Sequence, residues 1–413
     1  TRGPPQRDLT PEDAAANLGR ALAQSGAAEA VSRARLIRLS ATAPFRADHV
    51  GSLLRPAAVH DARTRYHAER LGPDGFHSCD ELKAIEDEAV RDTVKMQESV
   101  GLKAVTDGEM RRSFWHYDFM GALTGLELVE RDEGVQFHGM NLRPIFPTIT
   151  ARLDFPDDHP MLEHFRFLAS VTTVQPKISI PGPSACHFRT APADIAPPEY
   201  EDPDVLFADL ARTYRKAVQS FYDAGCRYLQ MDDIFFAYLC DPKHREEKQA
   251  QGIDPDWLIA KYADTMHEAI KDRPHDMVIA MHLCRGNFQS TWAAEGAYDP
   301  AADAVFNRTG VDVYFMEYDS ERAGGLEPLR LLPKGEKRVM PGFITTKSGE
   351  LESIDDLRRR FDEAAKYADL DQLGIAPQCG FASTEEGNVI TPDDQRRKLD
   401  LVVRTAEAIW GGV

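Results

Sequence analysis

From residue 45 onward the chain alternates short apolar runs with amphipathic stretches, and this alternation limits the fold more than any other feature. The strand-like runs are Phe45–Val50, Leu102–Thr106, Lys177–Pro181, Arg227–Met231, Met277–Met281, Val311–Met316, Arg338–Ile344 and Leu373–Pro377. Helical patterns fall between them at Asp80–Val100, Val205–Ala224, Pro255–Lys271, Pro300–Arg308 and Ile354–Ala368, and a final helix is expected at Pro392–Trp410. Strands separated by helices return in the same direction, which predicts a parallel sheet. Eight such units within residues 45–413 fit an α/β fold of the (β/α)8 TIM-barrel type.

Two stretches depart from the rhythm. Residues Leu126–Ser170 are rich in Asp, His, Pro and Phe and carry alternating segments at Gly134–Gly139 and Pro147–Leu153, which predicts a β-hairpin or lid inserted after the second strand. Residues 1–44 are Ala-rich, with Thr10-Pro11-Glu12-Asp13 as a helix-start signal. They read as a helical N-terminal extension that packs on the surface or serves contacts in a homo-oligomer. The catalytic unit is then residues 45–413.

Polar residues gather where the strands end. The first run leads into Asp48-His-Val-Gly-Ser52, the second into Asp107-Gly-Glu109, the third into Gly182-Pro-Ser184 and the fourth into Asp232-Asp233. The fifth ends at His282-Leu-Cys284, the sixth at Glu317, the seventh at Thr345-Thr-Lys347 and the eighth at Cys379. Barrel enzymes build their active sites at the carboxyl ends of the strands.

His282, Cys284, Glu317 and Cys379 are all of a type that zinc accepts, and two thiolates favour zinc over magnesium or calcium. Side chains two apart on a strand point the same way, so His282 and Cys284 can share an ion. The ligands come from separate strand ends rather than from one close pair, which is the spacing of a site assembled by a fold. A bound cation stabilises the thiolate of an incoming thiol at neutral pH, so the chemistry suggested is thiol activation. Glu317 also reads as a salt-bridged strand end. Glu109 and Asp232 are placed to meet an ammonium group or to pair with Arg111 or Arg112. Ser52 follows Gly51 in a tight turn whose backbone N–H groups can hold a carboxylate.

Composition serves mainly to exclude. Of 413 residues, 42% are apolar and 28% charged, as in globular proteins generally. The formal net charge of -18 disfavours nucleic acid and anionic membrane surfaces as partners. No apolar stretch approaches the ~18 residues of a membrane span, and residues 1–45 lack the apolar core of a secretory signal. Six scattered cysteines do not form a disulfide framework, so a reducing cytoplasm is the expected compartment.

The motifs Arg46-Ala-Asp-His-Val-Gly-Ser-Leu-Leu-Arg-Pro56, Thr106-Asp-Gly-Glu109, Leu229-Gln-Met-Asp-Asp233, His282-Leu-Cys-Arg-Gly-Asn287, Met316-Glu-Tyr-Asp-Ser320 and Pro377-Gln-Cys-Gly-Phe-Ala-Ser383 together carry a resemblance. Over residues 45–412 the chain resembles the catalytic barrel of cobalamin-independent methionine synthase, and more closely the single-barrel bacterial relatives of that enzyme. The resemblance implies a barrel with Zn2+ held by His282, Cys284, Glu317 and Cys379 and binding homocysteine sulfur. It implies that the Ser52 turn holds the amino-acid carboxylate, and that Glu109 and Asp232 hold its ammonium group.

The departures are specific. Lys347 stands where that family carries a histidine assigned to proton transfer, so Lys347 is the candidate for that catalytic role here. The stretch Pro183-Ser-Ala-Cys-His-Phe-Arg189 lacks the tryptophan expected to face folate. Both argue against a polyglutamyl folate donor. The reading is a zinc-dependent methyltransferase that activates a small, homocysteine-like thiol. Its partners would be that thiol and an alkyl donor, which folate, a methylcobalamin-carrying protein or a small methylated metabolite can supply. The alternative is a zinc-dependent thiol transferase that opens an epoxide with coenzyme M, as related epoxyalkane transferases do. Coenzyme M carries a sulfonate and no ammonium group, so Glu109 and Asp232 together favour an amino-acid thiol. A non-catalytic binding protein and the metal-free uroporphyrinogen decarboxylase type of barrel are further rivals, and the full ligand set argues against both.

Overall fold

The computed structural model describes residues 43–65, 80–132, 136–137, 140–141 and 145–413. The expected helical extension falls almost wholly at residues 1–42, outside the described residues.

The strands are β1 (Ala104–Val105), β2 (Thr124–Glu130), β3 (Gln136–Phe137), β4 (Met140–Asn141), β5 (Ile145–Asp154), β6 (Gln175–Pro176), β7 (Ile178–Pro181), β8 (Tyr228–Asp232), β9 (Val278–Leu283), β10 (Val313–Glu317) and β11 (Arg338–Gly342). The five strands β7 to β11 form one parallel sheet in sequence order. Their residues are buried on both faces, which explains why they read as continuous apolar runs rather than alternating ones. β1 pairs with β6 in parallel. β6 runs on into β7 through Lys177, whose N–H donates to Val105 O at 2.8 Å.

The expected first and eighth strands are present only as isolated parallel bridges. Leu373 bridges Val339, Pro377 bridges Ile344, and Ile375 bridges Ala47. Pro377 has no N–H to give a ladder, and Gly374 lies where a Cβ would run into Met340, so this segment is set by close packing rather than by extended pairing. Among the described residues no ladder joins the first segment to β1. Their link is Leu53 N to Gly108 O at 3.0 Å and Thr106 Oγ1 to Gly51 O at 2.6 Å.

The expected insertion is resolved into two parts. β2 and β5 make an antiparallel hairpin, as read from the sequence, with β3 and β4 as a second antiparallel pair between them. Residues Pro160–Val171, however, form a helix rather than part of a lid. Pro160 opens it, the His159 side chain accepts from Met161 N, and Met161, Leu162, Phe165 and Leu168 make its buried stripe. Other helices start on the same principle. Asp202, Asp254 and Thr391 each cap a helix whose first residue is proline.

Inside the sheet, Phe45, Val50, Ala104, Tyr228, Ala280, Val313, Phe315, Met340 and Ala376 pack as one cluster. They come from seven of the eight strand segments, so the interior is filled by side chains. The remaining segment contributes Lys177, which is fully buried. Its Nζ lies 2.8 Å from Asp48 Oδ1 and 4.5 Å from the Phe315 ring centroid. Tyr228 Oη donates to the other Asp48 oxygen at 2.7 Å. Burial pushes the lysine pKa down, and Asp48 opposes that shift.

Removing one member of a buried pair strands the other charge. Lys177→Met is therefore expected to lower the unfolding free energy by about 3–5 kcal/mol in a urea titration. A loss below about 1 kcal/mol would show that the pair does not tie the first, third and fourth segments together.

Candidate metal and substrate site

The carboxyl ends of β8, β9 and β10 lie side by side. Asp232, the last residue of β8, is the Cα partner of His282 in β9. Asp232 Oδ1 lies 3.3 Å from His282 Nδ1 and accepts a hydrogen bond from Gln230 Nε2 at 2.7 Å. The imidazole is thereby fixed at Nδ1, while Nε2 is buried with no hydrogen-bond partner. Cys284 follows two residues on, just past the end of β9, and Cys379 comes from the loop after the eighth segment. One ligand atom from each of His282, Cys284 and Cys379 lies within 4.8 Å of the others, and all three residues are buried.

These groups hold protons in an uneven way. The neighbouring Cys284 thiol and the His282 ring hold Cys379 well below the usual thiol range, while Cys379 and burial push Cys284 up. Burial disfavours the His282 imidazolium, yet Asp232 and Cys379 lift it to about 10. These neighbours favour a proton on Cys284 and on His282 over one on Cys379. Two sulfurs, one unpartnered imidazole nitrogen and this mutual proximity fit a borderline-soft divalent cation such as zinc, whose entry would expel both protons.

Glu317 ends β10 beside this cluster but is not within the three-ligand group. Its Oε2 accepts from Arg285 N at 2.9 Å, and its Oε1 lies 2.7 Å from Arg322 and 3.9 Å from Lys347 Nζ. Burial opposes its ionisation, but Lys347, Arg285 and Arg322 hold it down to about 2. Lys347 is half-buried, and its Nζ makes no hydrogen bond.

The cluster opens into a cleft also lined by Ser52, Glu109 and Asp232. Ser52 follows Gly51 at φ +136°, a backbone conformation that favours glycine. Gly380 packs so closely on Ser52 that a Cβ there would run into Ser52 Oγ. Glu109 adopts φ +59°, unusual for a residue with a side chain. Its carboxylate accepts from Ser179 Oγ at 3.0 Å and faces Arg112 at 3.4 Å and Arg55 at 3.8 Å. Glu109 Oε2 makes no hydrogen bond. The pairing with Arg112 anticipated from sequence is present, whereas Arg111 turns to Asp87.

Sequence reasoning did not single out Arg189, His116, Tyr238 or Asn287 as cleft residues, although all four line it. Arg189 and Asn287 did fall within stretches singled out after the third and fifth strands, and that position was the available signal. Among the aromatic residues after the second strand segment, Phe114 and Trp115 line the cleft, Phe114 also packs in a core cluster with Tyr117, and Phe119 lies in the main core.

A family model described as the catalytic domain of cobalamin-independent synthase matches residues 47–406. The chain belongs to the cobalamin-independent synthase catalytic-domain family. Two uncharacterized proteins of Bacillus subtilis are similar to this member of the family at 44% identity. YxjH aligns over 82% of this chain and 87% of its own length, and YxjG over 89% and 95%. A solved structure from Listeria monocytogenes, provisionally named a vitamin-B12 independent methionine synthase, is 37% identical with a TM-score of 0.69, and the match covers 90% of this chain and all of that one. No helix among the described residues is long and apolar enough to cross a membrane.

Burial raises the Glu109 pKa to about 7, against the opposing pull of Arg112 and Arg55. The native state therefore holds this proton at pH values where the unfolded chain has released it. The contribution to stability is full below the unfolded value and is lost as pH rises through about 7. Glu109→Gln should gain stability relative to the parent as pH rises from 5 to 8 in urea titrations. Parallel pH profiles for the two proteins would contradict the assigned shift.

Proposed function

We propose that this family member is a zinc-dependent S-methyltransferase that activates a small amino-acid thiol of the homocysteine type, on a closed (β/α)8 barrel formed by residues 45–413. The observation that carries the reading is the buried His282, Cys284 and Cys379 cluster, with His282 anchored by Asp232 and its Nε2 left unpartnered. The naming of the Listeria relative as a methionine synthase supports the methyl-transfer reading. The interior layer drawn from seven strand segments supports the barrel.

His282, Cys284 and Cys379 would hold the zinc, with Glu317 as the fourth, exchangeable ligand. When bound, the metal supplies the positive charge that lowers the pKa of an incoming thiol. Asp232 keeps His282 in one orientation. Arg285, Arg322 and Lys347 already partner the Glu317 carboxylate, so it would not be an unpaired buried charge if the incoming thiol took its place. Glu109 and Asp232 receive the substrate ammonium, and the backbone around Ser52 receives its carboxylate. Lys347 sits beside Glu317, where it can deliver a proton to the departing group. The carboxylates at this end of the cleft favour an ammonium-bearing thiol over the sulfonate-bearing coenzyme M.

Purified protein is expected to hold about one zinc per chain, reduced at least tenfold in Cys284→Ser. Adding homocysteine, but not coenzyme M, to the zinc form should release a proton measurable by indicator dye. Absence of zinc after anaerobic reconstitution would overturn the reading. Proton release with coenzyme M alone would redirect it to thiol addition on a non-methyl electrophile.

A further inference from the structure

Part of the cleft wall is polar and unpaired. Arg189, His116 and Tyr238 come from the loops after the third, second and fourth strand segments, yet they line the same cleft as the cysteines. Both ring nitrogens of His116, the hydroxyl of Tyr238, and Nε and Nη1 of Arg189 are buried without a hydrogen-bond partner. His116 is 0% exposed and Tyr238 only 2%. Arg189 forms no ion pair with any carboxylate among the described residues, and its guanidinium stands 5.7 Å from the Phe235 ring centroid.

Buried polar atoms are almost always satisfied, so a group left open on a cleft wall marks a ligand surface. The chemistry of these three is consistent. Arginine offers a permanently charged fork of donors suited to oxyanions. Burial keeps Tyr238 protonated, so its hydroxyl is a donor. Burial, reinforced by Arg189, keeps His116 neutral, so one ring nitrogen donates. The same cleft is also lined by the carboxyl groups of Glu109 and Asp232, so it carries acidic and basic side chains together.

We propose that Arg189, His116 and Tyr238 form an oxyanion subsite for the alkyl donor, which is therefore a small molecule bearing a carboxylate, phosphonate, phosphate or sulfonate near its transferable group. The assignment to the donor rests on the thiol-alkylation reading, in which the Ser52 turn already holds the thiol substrate's carboxylate. The transfer itself is balanced within that reading. The thiolate sulfur forms the new S–C bond, the donor's C–X bond breaks, X leaves with the electron pair and takes a proton from Lys347, and that proton is replaced from solvent, to which the thiol released its own on binding.

The test is calorimetric binding of acetate, methylphosphonate and methanesulfonate to the full chain, with and without zinc, and of homocysteine to the zinc form. At least one oxyanion is expected to bind, and Arg189→Met should weaken it at least tenfold, with partial recovery in Arg189→Lys. Homocysteine affinity should change less than twofold, and the two ligands should bind together. Because Arg189 is half-buried and makes no hydrogen bond, its substitution leaves the fold intact, which a thermal melt checks. Absence of oxyanion binding, or equal binding by Arg189→Met, would overturn the subsite. Mutual exclusion with homocysteine would instead assign Arg189 to the thiol's own carboxylate and overturn the donor assignment. Arg189-dependent oxyanion binding without any homocysteine binding would sink the thiol reading, and the donor assignment with it, while leaving an anion site.

Discussion

The register between β8 and β9 decides what the molecule can do. Parallel pairing sets Asp232 opposite His282, and the two side chains meet at 3.3 Å. Strand geometry then places Cys284 on the same side as His282. A slip of one residue in either strand would turn the imidazole to the opposite face and separate it from both sulfurs. The site is thus an outcome of sheet pairing, and the buried Asp48–Lys177–Tyr228 contacts beneath it help to hold the strands that must stay in register.

Electrostatics extend that constraint across the cleft. One sulfur is held as thiolate by its neighbours, and the imidazole is held charged by Asp232 and that sulfur. Glu317 is kept ionised by three basic side chains rather than by the cysteines. Beyond these groups the walls differ in sign, with carboxylates at the strand ends and Arg189 on a loop. Two substrates of different charge can be distinguished by such a surface.

Much of this was legible in the sequence, and for physical reasons. The runs at β8 to β11 are buried on both faces, so their apolar character is continuous, and their ends are marked by residues that a core would not choose. The three candidate ligands stood out because His and Cys at separate strand ends have few structural uses in common. The outer segments were less legible. Pro377 and Gly374 lie within an apolar run that reads as a strand, yet they limit it to bridges. The helix at Pro160–Val171 was hidden because its neighbours Asp157, Asp158 and His159 resemble loop residues, although His159 is its cap. Arg189, His116 and Tyr238 could not be ranked by residue type. Their significance lies in atoms left without partners, a property of packing that no linear pattern records.

The central claim is that His282, Cys284 and Cys379 form a metal centre whose purpose is to take a thiol. X-ray absorption at the zinc edge, on the protein with and without homocysteine, tests it most directly. The account predicts a first shell of two sulfurs with nitrogen and oxygen neighbours, converting to three sulfurs when the thiol is added. A shell containing only nitrogen and oxygen, or one whose sulfur content does not change with homocysteine, would contradict it.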